Sequence, residues 1–166
     1  HGPFLAWSTG LFMAMFGSHY LILNSINLLC GCGLIYLVYL YGSTVLKSRK
    51  IAQISAVMAS ASVIFVYLSR TPMYDWPAAF GFFGFCVFFT RRHDIKFGFW
   101  WALLFFCIGV LNRLAIVAGL SGFFVILSVL STNGFTLRSL ISIIRYGVIM
   151  AIAMVACYAP WVFVQH

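Results

Sequence analysis

The chain has 166 residues, 64% hydrophobic and only 7% charged, with ten Lys and Arg against two Asp and Glu, or +8 with His neutral. Soluble domains carry roughly 25% charged residues, so this composition excludes a soluble globular protein, a disordered tail and a disulfide-stapled secreted module. A mean hydropathy of +1.07 indicates an all-α, polytopic membrane protein. The basic balance reads as the positive-inside bias of short membrane loops, not as a nucleic-acid-binding face.

A hydrocarbon core near 30 Å takes about 20 apolar helical residues to cross. Residues 2 to 46 carry no formal charge, too long a run for one span, and Gly17-Ser18-His19 interrupts it. The reading is a helix over 4–16 that lies at the interface or re-enters, then a first full span over 20–42. Further spans are expected at 51–69, 76–90, 97–112, 114–131 and 146–164, which makes about six spans plus the N-terminal helix. The loops are a few residues long, and no linker, second domain or internal repeat is visible. The chain opens on His1 with no charged n-region or cleavage site before its first apolar run. It reads as an internal fragment, without a signal peptide.

Charge sets the orientation. Lys47, Arg49 and Lys50 form one cluster, Arg91, Arg92 and Lys96 a second, and Arg138 and Arg145 flank the amphipathic stretch "RSLISIIR". These cations fall in alternate loops, which are therefore expected to be cytoplasmic. The N-terminus, the "RTPMYDW" loop, the Asn112-Arg113 turn and "PWVFVQH" then face outward. Asp94 reads as a solvated charge within the second cluster. Trp76, Trp161, Tyr67 and Tyr74 are expected near the outer boundary, Tyr36, Tyr39 and Tyr41 near the inner one, and Trp100 and Trp101 at the start of the fourth span. This is an interfacial aromatic belt. Ala52, Ala56 and Ser60 recur every four residues, a small-residue stripe that predicts close helix packing. The five cysteines, Cys30, Cys32, Cys86, Cys107 and Cys157, all lie in apolar runs and read as small buried apolar residues.

Ionisable residues near membrane depth usually face a cavity or a partner. Asp75 is the sole acid on the expected outer face, five residues after Arg70 and bracketed by Pro72 and Pro77. It reads as a site residue or as half of a solvated surface pair. Only 16 residues separate Lys96 from Arg113, about 24 Å of helix, less than the hydrocarbon core. Arg113 is therefore expected below the outer surface, facing an anionic headgroup or phosphate, with a snorkelling Arg as the other reading. His19 and His166 read as interfacial side chains. No carboxylate pair, HExxH, GxSxG or P-loop is present.

Taken in order, four stretches resemble the GT-C fold membrane glycosyltransferases that use polyprenyl-phosphate sugars. These are the family 39 type, which includes bacterial aminoarabinose transferases and protein O-mannosyltransferases. "HGPFLAW" resembles the Lys/His-Pro-Pro-Leu-x-x-Trp segment of an outer juxtamembrane helix. "MFGSHYLILNSINLLCGCGLIYLVYLYG" is similar to the Phe-Gly turn, the next span and its Leu-Val-Tyr-Leu end. "LSRTPMYDWPAAF" resembles the Ser-Arg-x-x-x-x-Asp-x-Pro loop, and "GVLNRLAIVAG" with "APWVFV" resembles the Leu-x-Lys-Gly turn and closing Pro-Trp. Gly2 replaces the first Pro of the pair, and Arg113 stands where a Lys is usual.

The resemblance implies a partial GT-C transmembrane domain over 1–166, with the catalytic acid in an outer loop upstream of His1, and a fragment inactive alone. It implies transfer of a hexosyl or pentosyl group from a polyprenyl-phosphate carrier to an acceptor on the outer face of a bacterial inner membrane. The acceptor, whether lipid A, a protein hydroxyl, a glycan or another lipid, is open. His1, Arg70 and Arg113 are the expected donor-phosphate cations, and Asp75 a supporting residue that orients one of them or the missing base. Family members can involve a divalent metal, for which the sequence shows no ligand set. A lipid or small-molecule transporter or flippase is the rival class. It calls for polar residues at the midplane or on both faces, whereas here they gather on one.

Overall fold

The computed structural model describes residues 3–17, 20–62 and 75–165, leaving aside the side chains of 3–5, 20–23 and 161–165. The described residues form seven helices and no strand: α1 Pro3–Phe16, α2 Tyr20–Thr44, α3 Arg49–Ala61, α4 Asp75–Thr90, α5 Gly98–Val110, α6 Leu114–Asn133 and α7 Leu137–Gln165. The protein is an all-α polytopic membrane protein. Among the described residues three stretches are long and apolar enough to cross a bilayer, Asn24–Thr44, Leu114–Asn133 and Leu137–Pro160. The 16 residues of α4 and 13 of α5 reach only about 24 and 20 Å. The helix expected over 51–69 stops at Ala61, where Ser62 turns extended (φ −66°, ψ 121°) and its amide closes on the Ala59 carbonyl at 3.3 Å; residues 63–69 lie outside the described residues.

Local chemistry explains where the helices stop and start. α1 ends on Gly17, whose φ of +89° is open to glycine without penalty. Its amide closes the last turn on the Met13 carbonyl at 2.9 Å. Ser48 caps α3 by accepting from the Ile51 amide at 3.3 Å. Thr136 caps α7 by accepting from the Ser139 amide at 3.2 Å, while the Ser139 hydroxyl donates to the Gly134 carbonyl at 2.7 Å. That cap corrects the expected last span. Nothing between Thr136 and position 146 breaks a helix, so "RSLISIIR" forms the opening turns of α7 rather than a separate segment.

α4 holds the bundle together. Its sequence, DWPAAFGFFGFCVFFT, is apolar around nearly its whole circumference, as a helix enclosed by others must be. On one side Trp76, Phe80 and Phe83 pack with Ile26, Cys30 and Leu34 of α2 and Phe12 of α1. On the other, Phe85 and Phe89 join Phe106 and Val110 of α5, Val117 and Val125 of α6 and Met150 of α7 in the main core. Trp76 is thus only 5% exposed and is a core residue, not part of the expected aromatic belt. It turns inward because α2 lies against that face of α4. Trp100 and Trp101, at 63% and 48% exposed, do face outward.

Glycine sets the closest approach between helices. A Cβ on Gly81 would be driven into the backbone nitrogen of Gly109 and lie 2.5 Å from its Cα, so α4 and α5 touch backbone to backbone there. At the other crossing, a Cβ on Gly42 of α2 would meet Ala52 Cα of α3 at 2.7 Å. The Ala52-Ala56-Ser60 stripe is only partly an interface. Ala52 is buried in it, whereas Ser60 is exposed and returns its hydroxyl to the Val57 carbonyl at 2.8 Å.

Arg92 is more than an orienting charge. Its guanidinium lies 4.4 Å from the Phe89 ring centroid and 5.6 Å from that of Tyr146 on α7. Its Nη1 donates to the Phe89 carbonyl at 3.0 Å and reaches Ser128 Oγ of α6 at 3.4 Å. It therefore ties the end of α4 to α6 and α7, with the cation over aromatic faces.

Gly81→Ala should destabilise the full-length protein by about 1–3 kcal/mol, the usual range for overpacking a tight contact. The obstacle is backbone and cannot swing away. Gly119→Ala, with nothing within 4 Å of the added Cβ, should change stability by less than about 0.5 kcal/mol. Unfolding in detergent, followed by denaturant titration, compares the two.

Candidate functional site

Two chain segments meet at the end of the bundle where α4 begins and α5 gives way to α6. Asp75 is the first residue of α4, where a carboxylate is favoured by the unpaired amides of the helix N-terminus. Pro77 follows within the first turn, the part of a helix that tolerates proline because its missing amide would have no partner. Trp76, Pro77 and Ala78 are all buried, so the carboxylate is carried on an anchored turn.

The opposing segment is the short turn Leu111-Asn112-Arg113. At the end of α5 the Gly109 carbonyl accepts from the Asn112 and Arg113 amides at 3.1 and 3.0 Å. The buried Asn112 donates its Nδ2 to the Ile108 carbonyl at 2.7 Å. Arg113 then becomes the N-cap residue of α6, with φ −140° and ψ 75°, and its carbonyl accepts from the Val117 amide at 3.0 Å. Arg113 is therefore fixed at both of its backbone groups.

The side chains close the gap. Arg113 Nε donates to Asp75 Oδ1 at 2.9 Å, across 38 residues of sequence. The geometry follows from the glycine contact. Gly81 lies six residues into the chain from Asp75 and Gly109 four residues before Arg113. Antiparallel helices that touch there must bring both residues to the same end. The pair is open, with side-chain exposures of 43% for Arg113 and 58% for Asp75. The bond uses Nε alone, and neither terminal nitrogen hydrogen-bonds within the described residues. The part of the guanidinium suited to bidentate capture of a phosphate is thus left outward.

Of the residues expected to form the site, the structure brings Asp75 and Arg113 together. His1 and Arg70 lie outside the described residues, as do Tyr67, Pro72, Tyr74, His19 and His166. Among the described residues no three His, Cys, Asp or Glu side chains gather in a way that could hold a metal ion, so no ligand is assigned for one. Of the five cysteines expected to be buried, only Cys30 and Cys86 are; Cys107 and Cys157 are half-buried, and Cys32, two residues from Cys30 and so on another face of α2, is exposed. Two grooves lie apart from the Asp75–Arg113 pair. One, of about 270 Å³, runs between Ala118, Gly122 and Val125 on α6 and Gly147, Met150 and Met154 on α7. The other, of about 440 Å³, includes Leu130, Phe135 and Leu140. Both are lined almost wholly by apolar side chains.

The sequence profile of the family described as dolichyl-phosphate-mannose-protein mannosyltransferase matches residues 1–163. The chain belongs to this family. No curated protein and no solved structure matches it. Membership makes the chain part of the membrane glycosyltransferases that draw sugar from a polyprenyl-phosphate carrier. The contact between Asp75 and Arg113 accordingly lies in a glycosyltransferase whose donor carries a phosphate.

Tyr158 of α7 is the neighbour that motif reading overlooks. Its hydroxyl donates to the Val110 carbonyl, the last residue of α5, at 2.8 Å. A tyrosine close to Trp161 reads as one more belt aromatic, and nothing in the local pattern points to a carbonyl 48 residues earlier.

Exposed ion pairs contribute about 0–1 kcal/mol. Asp75→Asn should therefore shift the thermal unfolding of the full-length enzyme by no more than that amount. A larger loss would show that the pair holds the helices together rather than orienting a side chain.

Proposed function

We propose that residues 1–166 are part of a larger transmembrane transferase domain in which Arg113 faces the phosphate of the polyprenyl-linked donor at the outer, periplasmic side of a bacterial inner membrane. The observation that carries this reading is the single-point Nε bond to Asp75, which orients the guanidinium while its terminal nitrogens take no partner among the described residues. As the acceptor oxygen attacks the anomeric carbon, the bond from that carbon to the phosphate oxygen breaks. The bonding electrons leave with the polyprenyl phosphate. A fixed cation beside that oxygen stabilises the growing charge.

Asp75 acts as the supporting residue in this scheme. It holds Arg113, and the base that takes the acceptor proton comes from another segment of the enzyme. His1 and Arg70 supply further cations to the same phosphate. The transferred group is a hexose or pentose, and the acceptor is a hydroxyl of a lipid, a glycan or a protein. Outward placement follows from the charge pattern. The cations of 47–50 and 91–96, with Arg138 and Arg145, belong to the side opposite the Asp75–Arg113 end.

Arg113→Ala should lower turnover about a hundredfold with a much smaller change in donor KM. A donor group aimed at transition-state charge is worth about 3 kcal/mol. Arg113→Lys should recover part of the rate, because the charge survives and the fork is lost. Transfer from a labelled polyprenyl-phosphate sugar by the detergent-solubilised full-length enzyme measures both. Near wild-type turnover for Arg113→Ala would remove the assignment.

Sidedness has its own test. A cysteine at position 94, exposed in the structure, should react with an impermeant maleimide only after cells are opened, in a background lacking the native cysteines. Labelling in intact cells would reverse the orientation.

A further inference from the structure

We propose that Tyr158 is a positioning residue for Arg113, acting through the end of α5; this rests on the phosphate-facing role of Arg113 given above. A helix leaves its last carbonyls without partners. In a bilayer, where water is scarce, each must be satisfied by the protein. At the end of α5 each of these groups has a specific partner. The Cys107 carbonyl takes the Leu111 amide at 3.0 Å, and the Gly109 carbonyl takes those of Asn112 and Arg113. The Ile108 carbonyl takes Asn112 Nδ2. The Val110 carbonyl takes the Tyr158 hydroxyl at 2.8 Å. Three of these four carbonyls are served from within the turn itself. Only Val110 depends on another helix.

That dependence gives the contact its consequence. Arg113 lies three residues beyond Val110, and its side chain reaches Asp75 on α4 with a single bond. The turn is held on the α4 side by the Gly81–Gly109 contact and on the α7 side by Tyr158. Position 158 lies 21 residues beyond the start of α7 at Leu137, about 32 Å along the helix, and α7 runs parallel to α5, with Tyr146 against Phe99 near the start of α5 and Tyr158 at Val110, its end. The ring of Tyr158 packs, partly buried, against the main core, which holds its hydroxyl towards the end of α5. Without the hydroxyl, the Val110 carbonyl is left unpaired and the turn loses its tie to α7. The guanidinium then loses its aim at the departing phosphate, although donor affinity, set by many apolar contacts, is little altered.

The test uses the full-length enzyme with Tyr158→Phe, which keeps the ring and removes one hydrogen bond. Turnover should fall about three- to tenfold, the usual effect of one such bond, with donor KM unchanged. In an Arg113→Ala background the same substitution should have no further effect, because the group it positions is gone. Equal losses in both backgrounds would overturn the positioning role while leaving the Arg113 assignment intact. Full activity of Arg113→Ala would instead overturn the assignment on which both rest.

A second measurement is independent of catalysis. In a cysteine-free background, Leu111→Cys in the turn should react severalfold faster with a methanethiosulfonate reagent when Tyr158→Phe is present. Asn133→Cys, at the far end of α6, should not change. An unchanged rate at 111, or an equal rise at 133, would also overturn the proposal.

Discussion

The backbone contact between Gly81 and Gly109 is the constraint on which the rest of this bundle depends. Two helices that carry ordinary side chains at their crossing stand 8–10 Å apart. Here a single methyl on Gly81 would collide with the backbone of α5. In a bilayer the hydrophobic effect gives little reason for helices to associate, and close packing supplies much of the attraction. The contact also fixes register. It sets the first turn of α4 beside the last turn of α5, and so places a carboxylate and a guanidinium within bonding distance although they are far apart in sequence.

The two ends of the bundle use arginine differently. Arg92 is folded back over Phe89 and Tyr146 and bonded to α6, with its charge spent on packing. Among the described residues Arg113 is held by one nitrogen and by its backbone, with its side chain largely exposed. Burial explains the contrast. Arg92 is half-buried against aromatic rings of α4 and α7 and a hydroxyl of α6, whereas Arg113 lies exposed on a turn at the rim. Under the proposed function the second arrangement is the useful one, because a pre-oriented cation needs no reorganisation as charge develops on the departing phosphate.

The shortness of α4 and α5 belongs to the same design. Neither matches the thickness of a hydrocarbon core, and α7 runs on past the Tyr158–Val110 contact, so the turn between α5 and α6 sits below the level that α7 reaches. A charged residue there would be costly if it faced lipid. Asp75 offsets part of that cost, and the glycine crossing keeps Asp75 in reach.

Much of the architecture was legible in the chain itself. Apolar runs cut by Gly17, by the Lys47 and Arg91 clusters and by Asn112 mark most of the helices to within a few residues, because charge and glycine act locally. The exceptions are α3, which stops at Ala61, eight residues before the expected end, and α7, where two arginines suggested a loop and Thr136 instead caps a helix that runs straight through them. Asp75 and Arg113 stood out because so few charges occur here that each needs a reason. What the sequence could not supply was partnership. That Trp76 turns inward, that Arg92 staples three helices and that Tyr158 reaches the end of α5 depend on which faces meet. In a chain apolar on nearly every face, the pattern of hydrophobicity does not distinguish a lipid-facing side from a protein-facing one. Only the packing of the helices, fixed by where glycine allows them to touch, made that choice.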